Sequence, residues 1–278
     1  MPELPEVEYA RKLAERVALG RRLDELRCDD DEIVFEGVPP AEVKCAVEGR
    51  TVRALRRHGK QLWFEFDGGP CLLIHLGMTG HIRTPGARRL KLAADAAGEP
   101  EAWPPRFLKL HFVFDDGGEL AFTNARRFGR VRVQHDPTSQ LPVSALGFDL
   151  VVGPPSTPEF IGLLAGRRGA IKSLLLKQSV LAGVGNWIAD EALYQAAIAP
   201  ARRAGDLSID EAEKLLDTLL HVVQFAISVQ ADKRRFPQGW LFHHRWGKDT
   251  AATTGEGEVI EFLTIGGRTT AWVPSRQR

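Results

Sequence analysis

The feature that most constrains the fold is an abrupt change of texture along the chain. From Ile33 to about Gln134 the apolar residues come in short runs rich in β-branched and aromatic side chains: TVRALRR, QLWFEF, CLLIHL, FLKLHFVF, ELAFTN and RVRVQ. Several are separated by Asp67-Gly68-Gly69 or Asp116-Gly117-Gly118, the kind of sequence that supplies the positive φ of a tight hairpin. The spacing predicts an antiparallel β-sandwich or barrel built hairpin by hairpin. Pro, Ser and Gly then crowd residues 136–158, and beyond them the apolar period lengthens to that of a helix. Helices are predicted over 158–166, 170–177, 186–197 and 208–230, the last with Ser208 and Glu211 at capping-box spacing. A further helix is predicted over 6–18, where Val7, Ala10, Ala14 and Val17 share a face. After Phe236-Pro237, GEVIEFLTI and RTTAWV flank Gly266-Gly267 and predict a two-stranded hairpin with Arg268 at its turn.

The expected fold class is therefore α+β, and a chain of 278 residues suggests more than one domain. An N-terminal helix plus an antiparallel β-sandwich should occupy 1–145, a helical domain 146–236, and the hairpin 237–278. Residues 84–106 read as a surface excursion between strands.

The net charge of +1 gives no global basic signal, so local distribution decides what the surface can bind. Basic clusters recur at Arg50, Arg53, Arg56, Arg57 and Lys60, at Arg88, Arg89 and Lys91, at Arg126, Arg127, Arg130 and Arg132, at Arg167, Arg168 and Lys172, and at Lys233, Arg234 and Arg235. Their recurrence in a nearly neutral chain favours a polyanion-binding surface. The three cysteines, Cys28, Cys45 and Cys71, are too few for a four-cysteine zinc site and odd in number, and are expected to be buried free thiols. No apolar run approaches a membrane span, and MPELPEVEYARKLAERVA fits neither a secretory signal nor an Arg-rich transit peptide, so the chain is expected inside a cell.

Chemistry is suggested first by Pro2. With Met1 trimmed, its ring nitrogen becomes a secondary amine, and an α-amino group titrates near enough to pH 7 to be partly neutral and nucleophilic. The positive end of the following helix should depress that value. Attack of a secondary amine on a sugar C1′ gives an iminium ion, charged without protonation and able to drain electrons during elimination. Glu3 stands beside it as a proton donor to the opening sugar ring. Taken alone, both residues equally suit an ordinary helix start. HLGMTGHI places Met78 at a glycine-flanked strand end, where an unbranched side chain can wedge into a base stack or simply fill a core. NARRFGRVR interleaves Phe128 with Arg126, Arg127 and Arg130, a pattern suited to stacking on bases while gripping phosphate. Lys60 follows a glycine between two strands. In KQSVLAGVGNWIADEALYQ the Gly183-Val184-Gly185 break and Asn186 open a helix whose start could receive an anion. Arg268 has the geometry to hold one phosphate bidentately.

In order, PELPEVE, Gly59-Lys60, HLGMTG, NARRFG, GVGNWIADEALY and GGRTT resemble the motif set of the formamidopyrimidine-DNA glycosylase and endonuclease VIII family, from Pro2 to the final hairpin. The resemblance implies a bifunctional glycosylase and abasic-site lyase. Pro2 would be the nucleophile, Glu3 the acid, and Lys60 a catalytic phosphate contact. Asn186 of a helix-two-turn-helix and Arg268 of the hairpin would pinch the DNA backbone. Met78, Arg126 and Phe128 would fill the void left by an everted nucleotide, with His75 and Arg127 as further DNA contacts. Damaged double-stranded DNA is the implied partner, bound by a monomer without cofactor or metal. Bacterial members usually hold the hairpin with four cysteines and one zinc. This chain has no cysteine after Cys71, so its hairpin is expected to stand on Ile260, Phe262, Ile265 and Trp272 as a zincless finger, as in plant and fungal relatives. Residues 228–246 do not resemble the loop that caps 8-oxoguanine in bacterial members, which implies weak activity on that base and better activity on hydantoins and formamidopyrimidines. Small tautomerases also use a terminal proline, but their chains are far shorter. A catalytically silent damage-binding protein is the remaining alternative.

Overall fold

The computed structural model describes residues 1–86, 102–246 and 252–278. The chain divides into two compact units, Met1–Ala145 and Leu146–Arg278. No helix among the described residues is long and apolar enough to cross a membrane.

The first unit opens with helix α1 (Leu4–Ala18), capped by Glu3, whose carboxylate accepts from the Glu6 backbone while the Glu6 carboxylate accepts from the Glu3 N–H. Two four-stranded antiparallel sheets follow. One has the order β1 (Leu23–Cys28), β6 (Leu108–Phe114), β7 (Glu119–Asn124), β5 (Gly80–Arg83). The other has the order β2 (Val52–His58), β3 (Gln61–Phe66), β4 (Cys71–His75), β8 (Arg130–Gln134). Period-2 alternation sends Leu62, Phe64 and Phe66 of β3 and Leu110, Phe112 and Phe114 of β6 into one core, where Phe64 and Phe112 stack at 5.2 Å between the sheets. Truncating either ring would cost on the order of 3–5 kcal/mol.

Two elements depart from the expected pattern. Strand β1 escapes the alternation because a bulge between Leu23 and Glu25 resets it, so that Leu23 and Leu26 are both buried. Residues 40–47, inside the span read as strand, form helix α2 (Pro40–Val47). Proline at its first position presets the helical φ, and Val43 and Val47 bury one turn apart. The cysteines also differ from expectation. Only Cys71 is buried, Cys28 is partly exposed and Cys45 is exposed. Arg88, Arg89, Lys91 and most of the 84–106 excursion lie outside the described residues.

The second unit contains α3 (Thr157–Leu164), α4 (Ile171–Leu175), α5 (Asn186–Ala196) and α6 (Ile209–Ser228). A short parallel pair, β9 (Phe148–Asp149) with β10 (Leu181–Ala182), and the antiparallel hairpin β11 (Glu261–Ile265) with β12 (Arg268–Trp272) complete it. Helix α5 is buried on almost every side from Trp187 to Tyr194, as expected for an element enclosed by α4, α6 and β12.

Candidate active site

The head of α1 sets the chemistry of the first unit. Pro2 is buried and Glu3 is 2% exposed, so the Glu3 carboxylate is drawn from water at the helix end where a negative charge is best tolerated. Burial, with the neighbouring Glu3 charge, lifts the Glu6 carboxyl to about 7, so a second acidic group, protonated more readily than a free carboxylate, stands beside Pro2. Sequence reasoning did not single out Glu6; its signal was the three-residue spacing from Glu3.

The turn carrying Lys60 is fixed to the same helix. Arg57, 3% exposed, donates from Nε to Glu8 of α1 at 2.9 Å and from a terminal nitrogen to the Gly59 carbonyl at 3.0 Å. Gly59 has φ +56°, the conformation the β2–β3 hairpin needs just before Lys60. Arg57 thus belongs to the interior, not to the basic surface the sequence suggested, and it joins the Lys60 turn to the helix that follows Pro2 and Glu3. His75, opposite Gln61 in the β3–β4 register, is pushed down to about 4 by burial and by the charges of Lys60, Arg132 and Arg130. Its Nδ1 accepts from the Gly77 N–H at 3.2 Å, so the neutral ring carries its proton on Nε2 as a donor.

Met78 and the Arg126–Phe128 segment come together through Asn124, the last residue of β7 and fully buried. Its amide donates to the Leu76 carbonyl at 2.8 Å and accepts from the Gly129 N–H at 3.1 Å, clasping the loop before β5 to the loop after β7. The two backbones approach so closely that a Cβ on Gly77 would sit 2.4 Å from the Phe128 carbonyl carbon, while within the first loop one on Gly80 would sit 2.2 Å from the Leu76 oxygen. Met78 stays partly exposed, while Arg126 and the 48% exposed Phe128 project with the guanidinium 5.2 Å from the ring centroid. Arg127 is engaged within its own unit, with φ +56° and its guanidinium forked onto Asp31 at 2.9–3.1 Å. Asp31 also pairs with Lys109, and these cations hold its carboxyl well below the usual range.

In the second unit Gly185 caps α5 and Asn186 occupies its first position. Gln178 shapes the preceding turn, donating to the Leu176 and Val184 carbonyls and accepting from the Gly183 N–H. The Asn186 amide donates 2.8 Å to the Thr269 carbonyl of β12, so this helix end is fastened to the hairpin that presents Arg268. Arg268 is exposed, immediately after Gly266 (φ +58°) and Gly267 (φ +71°). Lys172, read as part of a basic cluster, is fully buried against Asp190.

The hairpin does not fit a thiolate zinc site, because residues 247–278 contain neither cysteine nor histidine. Its packing differs in part from expectation. Ile260, Ala271 and Val273 pack with Tyr194 and Leu241, Phe262 borders this cluster, and Ile265 is buried outside it. Trp272 is only partly buried.

Three family models match consecutive parts of the chain: the formamidopyrimidine-DNA glycosylase N-terminal domain over residues 1–131, its H2TH domain over 147–238, and a formamidopyrimidine-DNA glycosylase-like C-terminal domain over 240–274. The chain is 42% identical over its whole length to a formamidopyrimidine-DNA glycosylase of Arabidopsis thaliana, covering 71% of that protein. It is 35% identical to one of Geobacter metallireducens, with both chains fully covered. Among solved structures it resembles the Lactococcus lactis enzyme non-covalently bound to DNA containing an AP site, with TM-score 0.79 and 25% identity over 99% of each chain. It also resembles the Thermus thermophilus enzyme, with TM-score 0.76 and 30% identity over 99% of this chain and 98% of the other. The chain belongs to the formamidopyrimidine-DNA glycosylase family.

Proposed function

We propose that the protein is a DNA glycosylase of base excision repair that also nicks the strand, with Pro2 as nucleophile on oxidised nucleotides in double-stranded DNA. The observation that carries this reading is the pairing of Pro2 with the Glu3 and Glu6 carboxyls at the head of α1, in a chain of this family. Removal of Met1 turns the Pro2 nitrogen from an amide into a secondary amine. Its lone pair forms a bond to C1′ as the bond to the base breaks, the departing base takes up the proton that the amine gives up, and Glu3 passes a proton to the ring oxygen as the sugar opens to the iminium. The iminium then accepts the electrons released by loss of a C2′ proton, expelling the 3′ phosphate and, in a second elimination, the 5′ phosphate. Because C1′ and the damaged base are shielded within the duplex, the nucleotide must leave the stack. Met78, Arg126 and Phe128 fill the space it leaves, and Lys60, His75, Asn186 and Arg268 hold phosphates, with Arg127 setting the loop between Arg126 and Phe128.

The segment after α6 supports a lesion preference. Phe236 is 2% exposed and packs on Trp187, Trp240 and Phe242 at ring distances of 5.6, 5.0 and 4.9 Å, so these residues serve their own core and not a loop free to cap a base. Hydantoins, formamidopyrimidines and abasic sites are the favoured substrates and 8-oxoguanine a poor one. The protein acts as a monomer wherever its cell keeps DNA, the nucleoid or a nucleus or organelle.

The test is to incubate Met1-trimmed protein with a duplex bearing one abasic site, reduce with borohydride, and map the adduct by peptide mass. A covalent adduct on Pro2 is expected, and Pro2→Gly should lower single-turnover nicking by at least about 10³-fold. Tight binding without any adduct would overturn the mechanism in favour of a silent damage-binding protein.

A further inference from the structure

The geometry points to Asp190 as the anchor that replaces a metal beneath the hairpin, with Lys172 and Arg245 as its partners, and it makes these three positioning residues for Arg268. This inference rests on the phosphate-binding reading of Arg268 and Asn186.

Helix α5 reaches β12 at two rungs. Asn186 donates to the Thr269 carbonyl at 2.8 Å, and one turn later Asp190 accepts from the Ala271 N–H at 3.3 Å. The match follows from the two repeats. Four helical residues rise about 6.0 Å and two strand residues about 6.8 Å, so side chains at i and i+4 of a helix meet alternate backbone groups of an adjacent strand. Asn186, a neutral amide, meets a carbonyl; Asp190, an acceptor, meets an N–H.

The Asp190 carboxylate of α5 receives groups from three other segments. Lys172 of α4 binds one oxygen. The other oxygen receives Arg245 through Nε at 3.1 Å and a terminal nitrogen at 2.5 Å, together with the Ala271 N–H. Lys172 has no exposed surface, Asp190 1% and Arg245 7%. A carboxylate between two cations, all withdrawn from water, holds its partners in one geometry, because leaving any member unpaired in the interior is costly. The arrangement gathers α4, α5, the 241–245 segment and β12 around one charged centre, the topological task a structural zinc performs through its ligands. The 241–245 segment is pinned a second time, where the Phe242 N–H donates to Glu191 at 2.8 Å. Arg268 begins the strand whose third and fifth rungs carry Thr270 and Trp272, so a hairpin loosened at Ala271 would lose the position of its turn relative to Asn186.

The experiment combines amide exchange with a double-mutant cycle on the whole protein, using a duplex with one tetrahydrofuran abasic analogue. In the unmodified protein the Ala271 amide should exchange as slowly as Leu193 inside α5. In Arg245→Met it should exchange at least about tenfold faster while Leu193 is unchanged. Arg268→Ala should weaken Kd by about tenfold or more in the unmodified background and by less than about threefold in Arg245→Met, a coupling expected only if both changes act through one element. A chelator should leave Kd and Ala271 exchange unchanged. Equal Arg268→Ala factors in the two backgrounds would overturn the proposal, since a merely structural role gives additivity. So would an unaltered Ala271 rate, or a tenfold loss of binding on chelation. If Arg245→Met loses protection throughout α5, Asp190→Asn, which preserves volume and one acceptor, carries the same cycle. If Arg268→Ala costs nothing in the unmodified protein, the reading of Arg268 fails and positioning falls with it, while Ala271 exchange still reports whether the anchor exists.

Discussion

Each unit presents an arginine from a glycine-containing loop, and the two loops are held by opposite means. In the first unit the Met78 and Arg126–Phe128 loops close on a neutral amide, Asn124, with Gly77 allowing backbone to lie on backbone and Gly80 and Gly129 leaving room for the Asn124 side chain. In the second, the Arg268 hairpin closes on a charge, Asp190, between two cations. The first arrangement depends on the absence of atoms and is intolerant of added volume. The second depends on charge balance and is intolerant of a missing partner. On the proposed function, a loop that slips side chains into a base stack gains from rigid backbone contact close to its tip, whereas a hairpin tip that grips one phosphate can be anchored some residues away, at Ala271.

That contrast can be broken most sharply with one methyl group. Gly80→Ala places a Cβ 2.2 Å from the Leu76 carbonyl oxygen, a buried backbone atom without room to move, and should lower stability by about 2–4 kcal/mol in chemical denaturation. Gly162→Ala in α3, where nothing lies within 4 Å, should instead raise stability by about 0.5–1 kcal/mol through helix propensity. Equal effects from the two would mean that close packing does not hold the first loop.

Neighbouring arginines sharpen the same point at smaller scale. Arg127 makes three hydrogen bonds to Asp31, whose carboxylate also accepts from the Val34 backbone, so Arg127→Ala should lower the denaturation midpoint of the first unit. Arg126 touches the Phe128 ring within the loop, so Arg126→Ala should leave the midpoint unchanged and weaken binding to abasic duplex about tenfold. A midpoint shift from Arg126→Ala, or none from Arg127→Ala, would exchange the roles assigned to them.

The legible and illegible parts of the molecule divide along the range of the forces involved. Strands β2, β3, β4, β6, β7 and β8 follow from short runs rich in β-branched and aromatic side chains, several of them bounded by turns, and α5 and α6 from helical spacing and caps, all of which lie within a few residues. Strand β1 was hidden by its bulge, and α2 by valines whose β preference outweighed the two prolines before them. Charge was misread for the same reason. Arg57 finds Glu8 forty-nine residues away and Lys172 finds Asp190 eighteen away, so a basic cluster in sequence gave no sign that one member turns inward. The family motifs marked Lys60, Met78, Arg126, Phe128, Asn186 and Arg268, yet not the side chains that set their loops, Arg57, Asn124, Gln178 and Asp190. Spacing carried faint signals for two of these: Asn124 heads the NARRFG motif itself, and Asp190 follows Asn186 by one helical turn.

Protonation should act on the two units alike but separately. Burial lifts the carboxyls of Glu6 in the first unit and Glu191 in the second from 4.5 to about 7. Each folded unit therefore holds a proton between those values that its unfolded chain releases, and the unfolded state binds fewer protons across that window. Stability then declines as pH rises from about 4.5 to about 7: the contribution is complete below the unfolded value and gone above the folded one. Glutamine keeps the shape, and at Glu191 it keeps an acceptor for the Phe242 N–H, but it cannot titrate. Comparing urea midpoints at pH 5 and pH 8, followed by amide exchange in each unit, Glu6→Gln should flatten the pH dependence of the first unit only and Glu191→Gln that of the second only. Flattening of both units by either substitution would show that they unfold as one, and the contrast between their two kinds of loop would then have to be tested on binding alone.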